Sequence, residues 1–347
     1  MRLSRNKLFL FFSLVIFYSI SLFFYFYHNN YYDGEAIGYL VSDSKYYFRL
    51  AQNIHNFNDL LYFSEKNKNL FGIFFYYDIL LFESRALFYL ITSAFFLHAL
   101  MMTYDNLSDQ QKKNYILILL LLNPAIFAAF SGPNKEILGF ISALYFINFI
   151  IKRNYKILLL ALFFSVLTRA EYTLLLIFLL LTLRLQVFWR TYIFIFLLFL
   201  VSFTIFFLDY THLEKLDKNV RDGSLGFVRQ LSLLNSYGLY FLNFLPKILL
   251  NMFGSIILLN PFAIKGYSTF LYASQLLFLF LTCHVCLKKR FSFRNDFFYV
   301  FIVYAVIFSV PAFVHHRYFI PIYPVFVFLA FYNFKPKVPS ERLRQVL

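Results

Sequence analysis

The chain has 347 residues, of which 61% are hydrophobic and only 14% are charged, and its mean hydropathy is +0.66. This composition excludes an ordinary soluble globule and is typical of a polytopic membrane protein. The net charge of +15 does not point to nucleic acid, because Lys and Arg cluster in short segments between apolar runs, as topology signals and contacts for anionic lipid do. Two cysteines exclude a disulfide framework, and a lone C-x-x-C does not make a zinc site.

Apolar runs recur along the chain and predict about ten transmembrane helices, within a range of about nine to twelve. The predicted spans are 8–27, 84–102, 115–130, 137–151, 157–168, 172–183, 191–208, 268–287, 297–313 and 318–334. The first run follows a charged start but is as long as a full span, so it is predicted to be a retained helix. Residues 239–264 are interrupted by Pro246 and Lys247, which leaves an interfacial, a re-entrant and a hairpin arrangement open. No internal repeat or flexible linker divides the chain, so residues 1–347 are predicted to form one all-α membrane domain.

The distribution of Lys and Arg predicts the orientation of the spans. If the N-terminus is cytoplasmic, the inside segments hold more than half of the basic residues although they are much shorter than the outside segments. Both termini are then cytoplasmic. Two long segments lie outside, 28–83, which is predicted to carry short helices, and 209–267. Three short turns also lie outside, and each of them contains a cation.

The outside stretch VSDSKYYFRLAQNI, residues 41–54, is predicted to form a short amphipathic helix on the membrane surface, because its apolar residues recur at helical spacing. Asp43 stands at the start of this helix. It is either an N-cap, which accepts backbone N–H bonds, or a general base that takes a proton from an acceptor hydroxyl. Periodicity alone does not decide between these two roles.

The first short turn, SGPNKE at 131–136, has the pattern of a helix start, with Ser131 or Gly132 as the cap. Free N–H groups at a helix N-terminus, together with Lys135, suit a phosphate group. The alternative is a well-capped turn that binds no ligand. In that case Glu136 only interacts favourably with the dipole at the start of the helix.

The second short turn, RAE at 169–171, joins two short spans. The span at 157–168 would cover about 18 Å of a hydrocarbon core of about 30 Å. Arg169 and Glu171 are therefore either a solvated hairpin tip or charges that lie below the headgroups, where charged groups are functional candidates.

The third turn opens the last predicted span with the stretch HHRYFIPIYP, residues 315–324. Arg317 has a planar fork that can hold two phosphate oxygens, and the prolines loosen the start of the helix. The alternative is an interfacial anchor formed by Arg317 and Tyr318. For His315 and His316 we expect exposure to water rather than a metal site, and His316 is kept as a candidate substrate-binding residue.

Charged residues of both signs thus gather on one predicted face. The cations are Lys135, Arg169 and Arg317, and the acids are Asp43, Glu136 and Glu171. Such a face suits a lipid-linked phosphate as the leaving group and a hydroxyl as the acceptor. No P-loop, HExxH or GxSxG motif competes with this interpretation.

Two of these stretches resemble motifs of the GT-C-fold glycosyltransferases that use lipid-phosphate-linked sugars, such as protein O-mannosyltransferases and the lipid A aminoarabinose transferase. The first motif is D-x-x-x-Y-x-x-hydrophobic-small in the first outside loop, and the second is R-Y-hydrophobic-hydrophobic-P-x-x-P at a late span. The matching residues are Asp43, Tyr47, Leu50 and Ala51 in the first and Arg317, Tyr318, Pro321 and Pro324 in the second.

The resemblance implies a GT-C-like glycosyltransferase of a bacterial inner membrane, with its active site facing outside. It would move a sugar from a polyprenyl-phosphate donor to a hydroxyl of a glycan, lipid or protein. Asp43 would be the catalytic base, while Tyr47, Tyr318 and the charged turn residues would bind the substrate and its phosphate. A divalent cation, Mg²⁺ or Mn²⁺, stays open as a cofactor, but Ser44 stands where many relatives have a second acid.

Two other functions stay open at this point. O-antigen and capsule repeat-unit polymerases share the size, the span count and arginines in outside loops. A lipid-linked sugar flippase or other transporter is the third alternative, although transporters often have an internal repeat, which is not visible here.

Overall fold

A computed structural model of the chain describes residues 5–30, 54, 59, 61–62, 71–107, 110–130, 132–208, 230, 233–235, 237–257, 267–309 and 316–332. Over these residues the chain forms helices and no strand, so the predicted all-α class is confirmed for this part. The helices are α1 (Arg5–Asn30), α2 (Phe71–Phe74) with a π-helix (Phe75–Leu80), α3 (Arg85–Asn106), α4 (Gln110–Leu121), α5 (Pro124–Ala129), α6 (Lys135–Lys152), α7 (Tyr155–Thr168), α8 (Ala170–Thr182), α9 (Val187–Leu208), α10 (Tyr240–Ile257), α11 (Tyr267–Leu287), α12 (Asp296–Phe308), a 3-10 helix (His316–Phe319) and α13 (Tyr323–Phe331).

Several of these helices could cross a membrane. Within the described ranges, three segments are long and apolar enough, namely Lys7–Phe26, Arg85–Asn106 and Val187–Phe207. Five further apolar helices are shorter, with 10–17 residues each. Apolar helices of these lengths are typical of a membrane protein. The predicted count of about ten spans is not confirmed.

Proline decides where the helices differ from the predicted spans. The span predicted at 115–130 is divided into α4 and α5, because Pro124 begins a new helix and the Asn123 side chain accepts a hydrogen bond from the backbone N–H of Ala125 at 3.1 Å. Residues 318–334 begin with the 3-10 helix, and α13 starts only at Tyr323. In contrast, α10 continues through Pro246.

Helix α6 lies at the centre of the fold, since nearly all of its side chains are buried and it packs against α3, α7 and α13. A polar network joins it to α3. The Asn148 amide donates to Thr103 Oγ1 at 2.7 Å, and the Asn106 amide donates to Asn148 Oδ1 at 2.6 Å. Because these buried groups bond to each other, they hold α6 in place at a low energetic cost. Because Asn148 lies four residues before the C-terminal end of α6, this network fixes that end of the helix against α3.

An ion pair lies just beyond the same end of α6, where α9 and α12 begin. Arg190 Nη1 lies 2.7 Å from Asp296 Oδ1, and both side chains are about 95% buried. The same guanidinium donates to the backbone oxygens of Leu183, Leu185 and Phe293. Arg153 lies 3.4 Å from the second oxygen of Asp296 but is 43% exposed. This corner joins three loops through one carboxylate.

The π-helix after α2 contains a buried acid. Asp78 is 9% exposed, and neither of its carboxylate oxygens has a hydrogen-bond partner among the residues that the structure describes. Burial and, to a smaller extent, the charge of Glu83 raise the pKa of Asp78 to about 7. π-Helical turns are rare and are frequently found at functional sites, so the buried Asp78 is a candidate functional residue.

We expect the stability of the protein to depend on pH through Asp78. The folded chain holds this proton more tightly than the unfolded chain, so the free energy of unfolding should fall as the pH rises from about 4 to about 7. Asp78→Asn should therefore raise the melting temperature in detergent at about pH 8 and change it little at about pH 4. Asp105→Asn, which removes an exposed carboxylate, is the control. Equal pH profiles for Asp78→Asn and the wild type would contradict this expectation.

Candidate functional site

The site is built on the turn between α7 and α8, which consists of a single residue, Arg169. Its backbone is extended, with φ −166° and ψ 144°. The Arg169 N–H donates to the Ser165 oxygen at 3.0 Å and its carbonyl accepts from the Tyr172 N–H at 3.1 Å, so it ends one helix and begins the next. Its side chain therefore projects from the point where the chain reverses.

The Arg169 guanidinium stacks on the ring of Tyr318, with its central carbon 4.7 Å from the ring centroid. This cation–π contact joins the turn to the 3-10 helix and restrains the position of the charged group. No carboxylate of a described residue lies within ion-pair distance of this guanidinium. Arg169 is thus held by an aromatic ring rather than by an acid.

The start of α6 adds two charged residues. The cap is Asn134, whose side chain accepts from the Glu136 N–H at 2.8 Å, so the predicted caps Ser131 and Gly132 were wrong although the helix start itself is confirmed. Glu136 is 2% exposed, and neither of its carboxylate oxygens has a hydrogen-bond partner among the described residues. Lys135, beside it, is also buried.

These groups meet in one small polar cavity. Its walls are Lys135, Glu136, Thr168, Arg169, Tyr172, Tyr304, Phe308, Tyr318 and Pro321. Its free volume is about 10 Å³, which is room for about one water molecule. Although a buried acid and an arginine share these walls, neither a hydrogen bond nor an ion pair joins Glu136 to Arg169.

Close helix contacts form the walls of the polar cavity. At Gly139, one turn into α6, a Cβ atom would lie 2.9 Å from Pro321 Cβ and 3.1 Å from Thr168 Cγ2, so only glycine allows this approach. The Tyr172 hydroxyl donates to the Gly139 oxygen at 3.4 Å, and the Tyr304 hydroxyl donates to the backbone oxygen of Tyr318 at 2.5 Å. The hydroxyl groups of Tyr172 and Tyr304 thus link neighbouring walls of the polar cavity through backbone oxygens.

A second, larger cavity lies on another side of Arg169. Its volume is about 310 Å³, and it is lined by Phe71, Gly72, Val166, Arg169, Ala170, Thr173 and Leu174. Thr173 is already bonded, because its hydroxyl accepts from the Ser165 hydroxyl at 3.0 Å. The lining of this apolar cavity is therefore hydrocarbon except for Arg169 and this bonded hydroxyl. Arg169 lines both cavities.

The structure brings some of the predicted site residues together and leaves others apart. Those in the polar cavity are Lys135, Glu136, Arg169 and Tyr318. Glu171 is exposed in the first turn of α8 and lines neither cavity. Arg317 lies in the 3-10 helix between His316 and Tyr318. Asp43 and Tyr47 lie outside the described residues, as do most of the two long loops at 28–83 and 209–267.

His316 differs from its expected position at the water interface. It is 4% exposed, its Nε2 lies 2.8 Å from Ser274 Oγ, and its Nδ1 lies 3.3 Å from the Asn251 oxygen. The expectation of exposure was wrong because the 3-10 helix packs against α10 and α11. His316 therefore anchors one end of this short helix while Tyr318, at the other end, forms a wall of the polar cavity.

Several residues of the polar cavity carried no usable sequence signal. Thr168, Tyr172 and Tyr304 lie inside or next to predicted apolar spans, where one hydroxyl among 28 tyrosines does not stand out. The helical register that places Tyr172 three residues after Arg169 could have suggested it, since both then lie near one helix end. Tyr304 is far away in the sequence, and only the packing of α12 brings it here.

Neither a metal signature nor a similar protein identifies this site. The described residues contain no group of three or more His, Cys, Asp or Glu that could hold a metal ion. Both cysteines are exposed and form no disulfide. No family model, no curated protein and no solved structure matches the chain.

Proposed function

We propose that this chain is a membrane glycosyltransferase that moves a sugar from a polyprenyl-phosphate-linked donor to a hydroxyl acceptor. It would act on the outer face of a bacterial cytoplasmic membrane, in the synthesis of a surface glycan or glycoconjugate. The observation that carries the proposal is the polar cavity, where Arg169 and the buried Glu136 share a wall without bonding to each other. An unpaired buried charge costs several kcal/mol, so its presence favours a site that a ligand completes.

The cations of the cavity suit the leaving group. A guanidinium forks onto two phosphate oxygens, and the Arg169 guanidinium already lies over the ring of Tyr318. Lys135 adds a point charge from the first turn of α6, where backbone N–H groups also favour anions. We assign Arg317 to the same phosphate on the strength of its motif. Such electrostatic contacts contribute a few kcal/mol each to the transition state.

The acids suit the sugar and the acceptor. An ionised carboxylate only accepts hydrogen bonds, so Glu136 fits a hydroxyl of the donor sugar rather than its phosphate. We assign Asp43 as the base and Tyr47 as its neighbour by motif. In the proposed step the acceptor oxygen attacks the anomeric carbon while the bond from that carbon to the phosphate oxygen breaks. Asp43 takes the hydroxyl proton, and the lipid phosphate leaves as an anion.

The proposed architecture is GT-C-like, with about ten spans and both termini in the cytoplasm. Helices α7 and α8 have 14 and 13 residues, so each reaches about 20 Å across a hydrocarbon core of about 30 Å. Their far ends lie near Arg153 and Arg190, and cations of this kind favour the cytoplasmic side. With those ends at the inner interface, Arg169 would lie below the outer headgroups, where a lipid phosphate can meet it.

Deletion of the gene in the organism that encodes it tests this function. We expect the surface glycan to lose one sugar substituent and the wild-type gene to restore it. Asp43→Asn and Arg169→Ala should fail to restore it although both proteins reach wild-type levels in the membrane. Full restoration by Asp43→Asn would show that the base is assigned wrongly. Loss of long polysaccharide chains would favour a repeat-unit polymerase, and lipid-linked sugar trapped on the inner leaflet would favour a flippase.

A further inference from the structure

The larger, apolar cavity points to the part of the donor that enters the protein. We infer that it seats the two isoprene units nearest the phosphate of a single-chain polyprenyl phosphate, with the phosphate on Arg169. This inference rests on the proposed donor, but it concerns the binding of the lipid and not its reaction.

The lining of the apolar cavity selects hydrocarbon. Apart from Arg169, its one polar side chain is Thr173, whose hydroxyl already bonds to Ser165. Two apolar residues of the rim are exposed, Leu174 by 68% and Val166 by 47%. In a membrane this exposed rim would face lipid chains, so a hydrocarbon chain can enter sideways without crossing water.

The volume of the cavity favours one chain. About 310 Å³ holds about ten groups of about 30 Å³ each, which is the space that a water molecule occupies in the liquid. Two isoprene units have about ten carbons and fill this space. A phospholipid with two chains would have to leave one of them outside, and its glycerol would compete for the space beside Arg169.

The position of Arg169 supplies the anion contact. It lines both cavities, so a phosphate on this guanidinium would have the apolar cavity on one side and the cavity with Glu136 on the other. A lipid phosphate that carries a sugar has its chain on one side of the phosphate and its sugar on the other, and the polar cavity of about 10 Å³ admits one water-sized group of that sugar, such as a hydroxyl, rather than the whole ring. No carboxylate of the described chain occupies the guanidinium beforehand.

The wall opposite α8 is rigid. At Gly72 a Cβ atom would lie 2.4 Å from the Val166 oxygen, so α2 rests directly on the backbone of α7. Phe71, next to it, stacks on Phe75 with centroids 6.1 Å apart. The cavity is therefore bounded by backbone and packed rings, which do not fill it by a simple change of rotamer.

The experiment measures binding of farnesyl monophosphate to the purified full-length protein in detergent. The matched variants are Leu174→Trp, which fills the apolar cavity, and Leu181→Trp, which makes the same change on the same helix outside it. Both leucines are 68% exposed. We expect Leu174→Trp to weaken binding at least tenfold and Leu181→Trp to change it less than twofold. Ala170→Leu, which fills the cavity from another wall, should act like Leu174→Trp.

Two further comparisons test the phosphate contact and the choice of a single chain. The wild type should bind farnesyl monophosphate at least tenfold more tightly than farnesol or inorganic phosphate, and Arg169→Ala should remove the preference over farnesol. Equal effects of Leu174→Trp and Leu181→Trp would overturn the inference, as would equally strong competition by phosphatidylglycerol. Binding as expected in a protein that transfers no sugar would refute the proposed function and leave this inference standing.

Discussion

Glu136→Gln is expected to abolish the restoration of the surface glycan while the protein remains at least as stable as the wild type. The carboxylate lies in the polar cavity with Arg169 and is 98% buried, and its oxygens form no hydrogen bond within the described chain. If it orients the donor sugar, its loss should slow transfer by about a hundredfold or more, the scale for a misplaced reacting group.

The stability of this variant separates a functional role from a structural one. A carboxylate that supports the fold would bond to neighbouring groups, and its replacement would lower the melting temperature. The Glu136 carboxyl group is instead buried without a hydrogen-bond partner in the described chain, and Gln has the same shape without an ionisable group. We therefore expect an unchanged or higher melting temperature in detergent. Such a trade-off between activity and stability is common at active sites.

Two measurements on the same preparations check this expectation, the glycan of the complemented deletion strain and the melting temperature. Asp105→Asn is the control, because it removes an exposed carboxylate at the end of α3. It should leave both quantities at the wild-type values. A Glu136→Gln protein that restores the glycan fully, or that melts well below the wild type, would contradict the role given to this residue.

Arg190→Met is expected to be among the most destabilising single substitutions, at about 3–5 kcal/mol. It would leave the carboxylate of Asp296, which is 96% buried, without its closest partner at 2.7 Å. It would also remove the donor to the backbone oxygens of Leu183 and Phe293, which lie in different loops. The cost therefore comes from a stranded charge and from two loops that lose their common donor.

Arg153→Met is the matched control, because Arg153 pairs with the same carboxylate at 3.4 Å but is 43% exposed. Exposed pairs contribute about 1 kcal/mol or less, so this variant should melt close to the wild type. Replacing both Arg190 and Asp296 by apolar residues should recover part of the loss, since no charge is then left buried. The stability of each variant is measured as the fraction of protein that remains folded after mild heating. Equal losses for Arg153→Met and Arg190→Met would show that the corner does not act through the buried pair.

The helices could be predicted well from the sequence, because a chain of long apolar runs separated by basic segments has few alternatives. The juxtaposition of the turns at 131–136 and 169–171 was also within reach. Charges between short spans must lie near one another at one end of a bundle, and Lys135 and Arg169 do share a cavity. The count of about ten spans went beyond what helix lengths alone confirm.

The rest depended on tertiary packing. The apolar cavity exists because Gly72 rests on the α7 backbone at Val166, a contact between residues far apart in the sequence. Pro246 was expected to interrupt its segment, but α10 continues through it, since its neighbours α11 and α9 support the helix. His316 was expected to meet water, and a short 3-10 helix buries it instead. None of these outcomes follows from local propensity.

The one-residue connection at Arg169 makes this part of the chain intolerant of any change in length. One inserted residue would rotate the following helix by about 100° relative to α7, which would turn Tyr172 away from Gly139. Surface loops normally accept an epitope tag or a labelling sequence, and they vary in length between homologous proteins. The turn at Arg169 should accept neither, so tags for topology mapping belong in longer connecting segments.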